Sequence, residues 1–266
     1  MTGQMQWLLL DFRDDLLKRL YQQDGELDLY RLFDNTELAS YSAQSPVLVN
    51  IECSPGLLMA FHEEPKHWPG LLLQTSQCSA ELLQHLRHIL IVNFEGERKG
   101  VLRYYNPRTA SYFFVGQRTG LATWLGPIEK LSWYGGTWRD EAEETTGLHT
   151  TTNPVADTWQ PSTTQEPLRL THEQEQALQC QQAENFLYQW WLGQQPPVPS
   201  SQAWIWLEEG QQLDLHSTNA LTDYLDIRRR YPHHPLPTGR SEASDIEKIT
   251  YLRAHFQRHN DKERFS

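Results

Sequence analysis

Ile89-Leu90-Ile91-Val92-Asn93-Phe94 and Gly100-Val101-Leu102-Arg103-Tyr104-Tyr105 flank the polar Glu95-Gly96-Glu97. Two apolar runs around a glycine-containing turn predict an antiparallel hairpin. Upstream, Ser79 is placed to cap a helix from Ala80 to His88, with Leu82, Leu83 and Leu86 on one face. Gly70-Leu71-Leu72-Leu73-Gln74 before it reads as a strand. So do Val47-Leu48-Val49-Asn50-Ile51, the alternating Leu29–Phe33 and the opening Trp7-Leu8-Leu9-Leu10-Asp11. Helical patterns cover Asp14–Tyr21 and run from Pro55 through Phe61, with Ser54 at the N-cap and Pro55 at N1. Downstream of the hairpin, Asn106-Pro107 opens a helix from Arg108 to about Val115. Strands alternating with helices, plus one hairpin, predict a mixed α/β lobe over residues 1–136, a sheet flanked by helices.

The character changes over residues 137–168. Glu141, Glu143 and Glu144 precede paired threonines, and Thr150-Thr151-Thr152-Asn153-Pro154 and Pro161-Ser162-Thr163-Thr164-Gln165 follow. A linker or long surface loop is expected there. Residues 169–266 read as helical. Thr171-His172-Glu173-Gln174 is a capping box ahead of a helix from His172 to about Leu192. Further helices are expected over Ala220–Arg230 and from Ser241 to about His259. The fold class is therefore α+β: an N-terminal mixed lobe with a smaller C-terminal helical lobe.

Composition narrows the function. The 266 residues hold 34 acids against 23 bases, for a net charge of −11. That balance opposes a generic nucleic-acid binder, which needs clustered Lys and Arg, and an anionic membrane surface. The excess divides as −3 over residues 1–130 (15 acids, 12 bases) and −8 over 131–266 (19 acids, 11 bases). A partner of the second part is best neutral or basic. The 10 Trp, 11 Tyr and 9 Phe supply burial that offsets chain entropy. Three cysteines with no C-x-x-C spacing fit neither a disulfide scaffold nor a zinc site, and suit a reducing cytosol. Trp7–Leu10 is stopped by Asp11, so no signal peptide is expected. A soluble, cytoplasmic protein follows.

No complete catalytic set stands out. His85 and His88 share a helix face but lack a third metal ligand. His233-His234 sits between Pro232 and Pro235 as a rigid loop. Cys53 lies between a strand and a helix start, where a thiolate is stabilised, yet a free cysteine is more commonly a small buried hydrophobe. The G-x-S-x-G, phosphate-loop and H-E-x-x-H patterns are absent from the sequence, and no cofactor is expected. The richest run is Arg103-Tyr104-Tyr105-Asn106-Pro107-Arg108. Alternation puts Arg103 and Tyr105 on one face and Tyr104 on the other. Arg103 has two readings: tied to a carboxylate such as Asp11, or gripping a partner. Trp190, Trp191, Trp204 and Trp206 are candidate anchors. Packing inside the helical lobe competes for the first two. Trp204 and Trp206 alternate around Ile205 as on a strand edge or lobe contact.

The run Arg103–Arg108, with His85-Leu86-Arg87 before it and Leu125-Gly126-Pro127 after it, resembles the DUF4123 family. The resemblance spans residues 7 to 128 and takes in the opening Leu-Leu-Leu-Asp, the Val47–Ile51 strand and Gly70-Leu-Leu-Leu with Ser76. The Leu170–Gln174 helix start is similar to a segment that follows such domains. The resemblance implies a type VI secretion effector adaptor, a chaperone without enzymatic turnover. Such a protein binds a cognate toxic effector and loads it onto the VgrG spike protein. The expected partner-binding set is Arg87, Arg103, Tyr104, Tyr105 and Arg108 within the resembling region, with Trp204 and Trp206, outside it, expected from their residue type to add effector-specific contacts. One position departs: Asn106 stands where the family has Asp, and it cannot form a charged pair with Arg103 or Arg108. The other readings are a hydrolase or transferase using Cys53 or a histidine, and a structural subunit of the secretion machine.

Overall fold

β1 (Met5–Leu10) carries the first apolar run into the middle of a sheet. Period two divides it. Trp7 and Leu9 join the core on one face, Leu8 and Leu10 the core on the other, and all four are at most 1% exposed. Burial on both faces is why the run is continuously apolar rather than alternating. The computed structural model describes residues 5–23, 25–115, 120–161, 166–237 and 243–264. Its compact units are Met1–Gln181 and Gln182–Ser266.

In the first unit, β2 (Leu29–Arg31), β3 (Val47–Asn50), β4 (Gly70–Thr75), β7 (Lys130–Gly135) and β8 (Gly147–Thr152) join β1 in a six-stranded sheet. Its order is β2-β3-β1-β4-β7-β8, and every pairing is antiparallel. Helices α1 (Leu16–Gln23) and α2 (Pro55–Glu63) set Leu16, Leu20, Leu57 and Phe61 against one face. On the other, α3 (Ser79–His88) and α4 (Pro107–Phe113) set Leu82, Leu86 and Phe113 against Trp7, Leu9 and Leu71. Each such fully buried side chain contributes about 1.5–3 kcal/mol of transfer free energy. The expected hairpin exists, as β5 (Ile91–Asn93) and β6 (Lys99–Val101), and β9 (Leu168–Arg169) adds to it in parallel. Gly96 and Glu97 take positive φ in its turn.

Three expectations are corrected. The hairpin's second strand ends at Val101. The Asn106 N–H bonds to the Arg103 carbonyl at 3.0 Å, and that turn ends the alternation, so Tyr104 and Tyr105 are both buried while Arg103 is exposed. Residues 137–168 are not a linker. They hold α6 (Trp138–Ala142) and β8, which pairs with β7 from Lys130↔Thr152 to Gly135↔Gly147. Residues 162–165 lie outside the described residues. The division between units falls at Gln181/Gln182, inside α7 (His172–Leu192), instead of within 137–168. A short α5 (Leu121–Leu125) precedes β7.

The second unit continues with α8 (Ser200–Gln212), α9 (Thr218–Arg230) and α10 (Asp245–Arg264). The expected start of the last helix at Ser241 lies outside the described residues. Trp204 and Trp206 lie in α8, not on a strand. Both are buried, and Ile205 between them faces solvent. They are therefore not exposed anchors. Trp190 and Trp191 have internal partners: their indole N–H groups donate to Asp226 at 3.0 Å and to the Val198 carbonyl at 2.6 Å. Arg228 is buried and pairs with Glu209 at 2.9 Å, and Tyr224 donates to the same carboxylate. No described helix is long and apolar enough to cross a membrane.

Candidate partner-binding groove

Asn106 fixes the start of α4. Its side-chain oxygen accepts from the N–H groups of Arg108 and Thr109 at 2.9 and 3.3 Å, and Pro107 supplies the preset φ of the first helical position. Its amide nitrogen donates to Asp11 Oδ2 at 2.7 Å. Asp11 closes β1, and its other oxygen accepts the Phe12 N–H at 2.9 Å. Arg103 Nη2 lies 3.5 Å from Asp11 Oδ2. The Asp11 side chain is 9% exposed and that of Arg103 61%, so the guanidinium reaches the carboxylate from the solvent side. The structure gives Arg103 the expected Asp11 contact and leaves most of its guanidinium exposed. A pair this exposed is worth at most about 1 kcal/mol. The Tyr105 ring lies 5.9 Å from the guanidinium. Burial raises its phenol pKa, Arg103 working against that shift.

The other expected site residues are staples. Arg108 donates to the carbonyls of Gly136 and Thr137 at 3.1 and 2.6 Å and to Glu141 at 3.0 Å, with its guanidinium 4.2 Å over the Trp138 ring. It pins the β7–α6 connection to α4. Arg87 donates to the Leu32 and Arg31 carbonyls at 3.2 and 3.1 Å, tying α3 to the end of β2. Tyr104 is buried, and its hydroxyl donates to the Leu86 carbonyl at 2.7 Å.

Arg103 and Arg108 line one groove of about 590 Å³, together with Arg13, Lys66, Tyr134 and Trp138. The sheet register explains this gathering. β1 and β4 pair as Leu10↔Gly70, and the Asp11 N–H bonds to the Pro69 carbonyl at 2.9 Å. Residues just after β1 and just before β4 therefore meet at one end of the sheet. β7 pairs with β4 as Leu71↔Trp133, which brings Tyr134 to the same end. The sequence gives no local signal for Arg13 or Lys66, because only this pairing brings them to Arg103. The chemistry on offer is charged N–H donors beside aromatic and proline surfaces.

A larger cleft of about 860 Å³ is lined by His85, Arg87, His88, Asn153 and Trp159. His85 Nε2 lies 2.9 Å from the Trp124 carbonyl, which makes it the protonated nitrogen of a neutral ring. Burial lowers the His85 pKa to about 4; the bond to Trp124 opposes the shift and His88 adds to it. A Cβ on Gly126, which has a positive φ, would fall 2.3 Å from that ring. His85 is packed in place. Cys53 is exposed, contrary to the buried-hydrophobe expectation. No group of three or more metal-ligating side chains occurs among the described residues.

Residues 6–115 match the family model of DUF4123, a domain of unknown function. Over these residues the chain is similar to DUF4123. No curated protein and no solved structure matches the chain. The DUF4123 match contains β1 from Gln6 onward and β2 through β6, with Asp11, Arg13, Lys66, Arg103, Asn106 and Arg108. β7 and β8 complete the sheet from outside it, and Tyr134 and Trp138 complete the groove.

Proposed function

We propose that the protein is an effector adaptor of a type VI secretion system. In the cytoplasm it binds a cognate toxic effector and the VgrG spike protein, and joins the two without covalent chemistry of its own. The observation that carries this reading is Arg103. It is an arginine within the DUF4123 match, anchored by Asp11 yet mostly solvent-exposed, at the lining of an open groove with basic and aromatic walls. Exposed arginines beside aromatic rings are frequent anchors of protein interfaces. Co-expression of the tagged protein with the products of the genes flanking its own, followed by affinity capture, tests the reading. Recovery of an effector and a spike protein supports it; recovery of neither overturns it.

A further inference from the structure

We propose that the groove at the shared end of β1, β4 and β7 binds an extended acidic segment of the partner polypeptide, whose carboxylates meet Arg13, Lys66 and Arg103. This rests on the adaptor reading and names the chemistry of the partner at that site.

Charge carries the inference. On a chain of net charge −11, the groove gathers four cations and one lining carboxylate, Glu141. Glu141 is already consumed by Arg108 at 3.0 Å. Arg13 and Lys66 are exposed, and neither makes a side-chain hydrogen bond or ion pair with the described residues. Asp11 lies nearly buried beneath Arg103, and its charge is shared with the Asn106 amide and the Phe12 N–H. The groove thus carries unspent positive charge on a protein that is otherwise acidic, which is the condition for steering and orienting an anionic partner.

The walls favour a polypeptide among anions. Pro65, Pro69, Tyr134 and Trp138 offer rings against which side chains of an extended segment pack. A free inorganic anion uses none of that surface. A nucleic acid needs a longer track of cations than Arg13, Lys66 and Arg103 supply, and would meet the repulsion of the remaining chain.

The test uses the full chain. The flanking-gene product captured by the unaltered protein is displayed as overlapping peptides of about 15 residues, long enough for an extended recognition segment. The array is probed with the unaltered protein and with the double variant R13E/K66E. Both substituted positions are exposed, and R13K/K66R serves as the control that retains charge. The expected result is that the bound peptides carry net negative charge. Binding falls at least about tenfold in R13E/K66E, persists in R13K/K66R, and weakens as salt rises from about 0.05 to 0.5 M. Bound peptides that are neutral or basic would overturn the proposal. So would R13E/K66E binding as well as the unaltered protein, or complete displacement by inorganic phosphate at an ionic strength at which chloride leaves the peptides bound, which would mark a free-anion site. If the unaltered protein captures neither flanking product, the adaptor reading itself fails. If it captures one and R13E/K66E captures it equally, only the acidic-segment assignment fails.

Discussion

Asn106 makes hydrogen bonds that an aspartate would not reproduce together. Its oxygen caps α4 and its amide nitrogen donates to Asp11. Asn106→Asp keeps the cap but sets one carboxylate against another, so its melting temperature should fall at neutral pH. Asn106→Ala loses both functions and should cost about 1–2 kcal/mol in urea unfolding, the range of a lost cap. Arg103→Ala should behave differently. Its exposed pair contributes at most about 1 kcal/mol, so partner capture should weaken while the melting temperature barely moves. A large drop in melting temperature with capture intact would make the arginine purely structural. His85 gives a pH signature. Its pKa falls from 6.5 to about 4 on folding, so the unfolded chain binds the proton more tightly. The stability from its neutral form is complete above pH 6.5 and is lost as pH falls through about 4. The whole shift is worth about 3 kcal/mol. His85→Gln keeps a donor for the Trp124 carbonyl and removes this titration. The stability advantage of histidine over glutamine should therefore shrink on acidification from near neutrality to about pH 4. A gap that does not change with pH would show that His85 does not titrate in this way.

Between elements, one bond joins α4 to the strand that completes the groove. The Trp133 indole N–H donates to Ser111 Oγ at 2.9 Å, and that hydroxyl donates to the Pro107 carbonyl at 2.9 Å. Ser111→Ala leaves a buried indole N–H unpaired and should destabilise by about 1–3 kcal/mol in urea titrations. Elements of this kind differed in how visible they were in the sequence. β1, β3 and β4 were legible because burial on both faces writes an unbroken apolar run. α4 and α7 were legible because the caps Asn106 and Thr171 precede them, and α3 because of its periodic leucines; its expected cap is corrected, since Cys78 stands at the N-cap, no side chain caps the helix, and Ser79 is its first residue. β8 was not, since Gly147–Thr152 alternates between half-buried and exposed and is half threonine, which reads as loop. α8 was misread because Trp204-Ile205-Trp206 mimics a strand's period, whereas the helix is covered on more than one side. The Arg103–Asp11 pair was open to inference from residue types alone. Arg13 and Lys66 were not, because their meeting depends on antiparallel register.

For the whole molecule, the consequential fact is that the DUF4123 match stops at residue 115 while the sheet continues to Thr152. A fragment of residues 1–115 lacks β7, so β4 has one edge unpaired and the core loses Trp133 and Leu131. It should fail to unfold cooperatively. A fragment of residues 1–181 keeps the sheet and the first unit, including Gln174, which is fully buried. It should show a single thermal transition and an ordered aromatic signal by near-ultraviolet circular dichroism. Cooperative unfolding of the shorter fragment would show that β7 and β8 are dispensable. The same arrangement governs biosynthesis. At about 5–20 residues per second, the roughly 60 residues from the end of β4 to the end of β7, the strand that covers its edge, keep a ribosome busy for about 3–12 s. Through that interval the nascent chain displays Leu71-Leu72-Leu73 on a naked strand edge, the kind of template that invites collisions with other nascent chains. Translation speed across that stretch therefore sets how long each newborn molecule is exposed to aggregation.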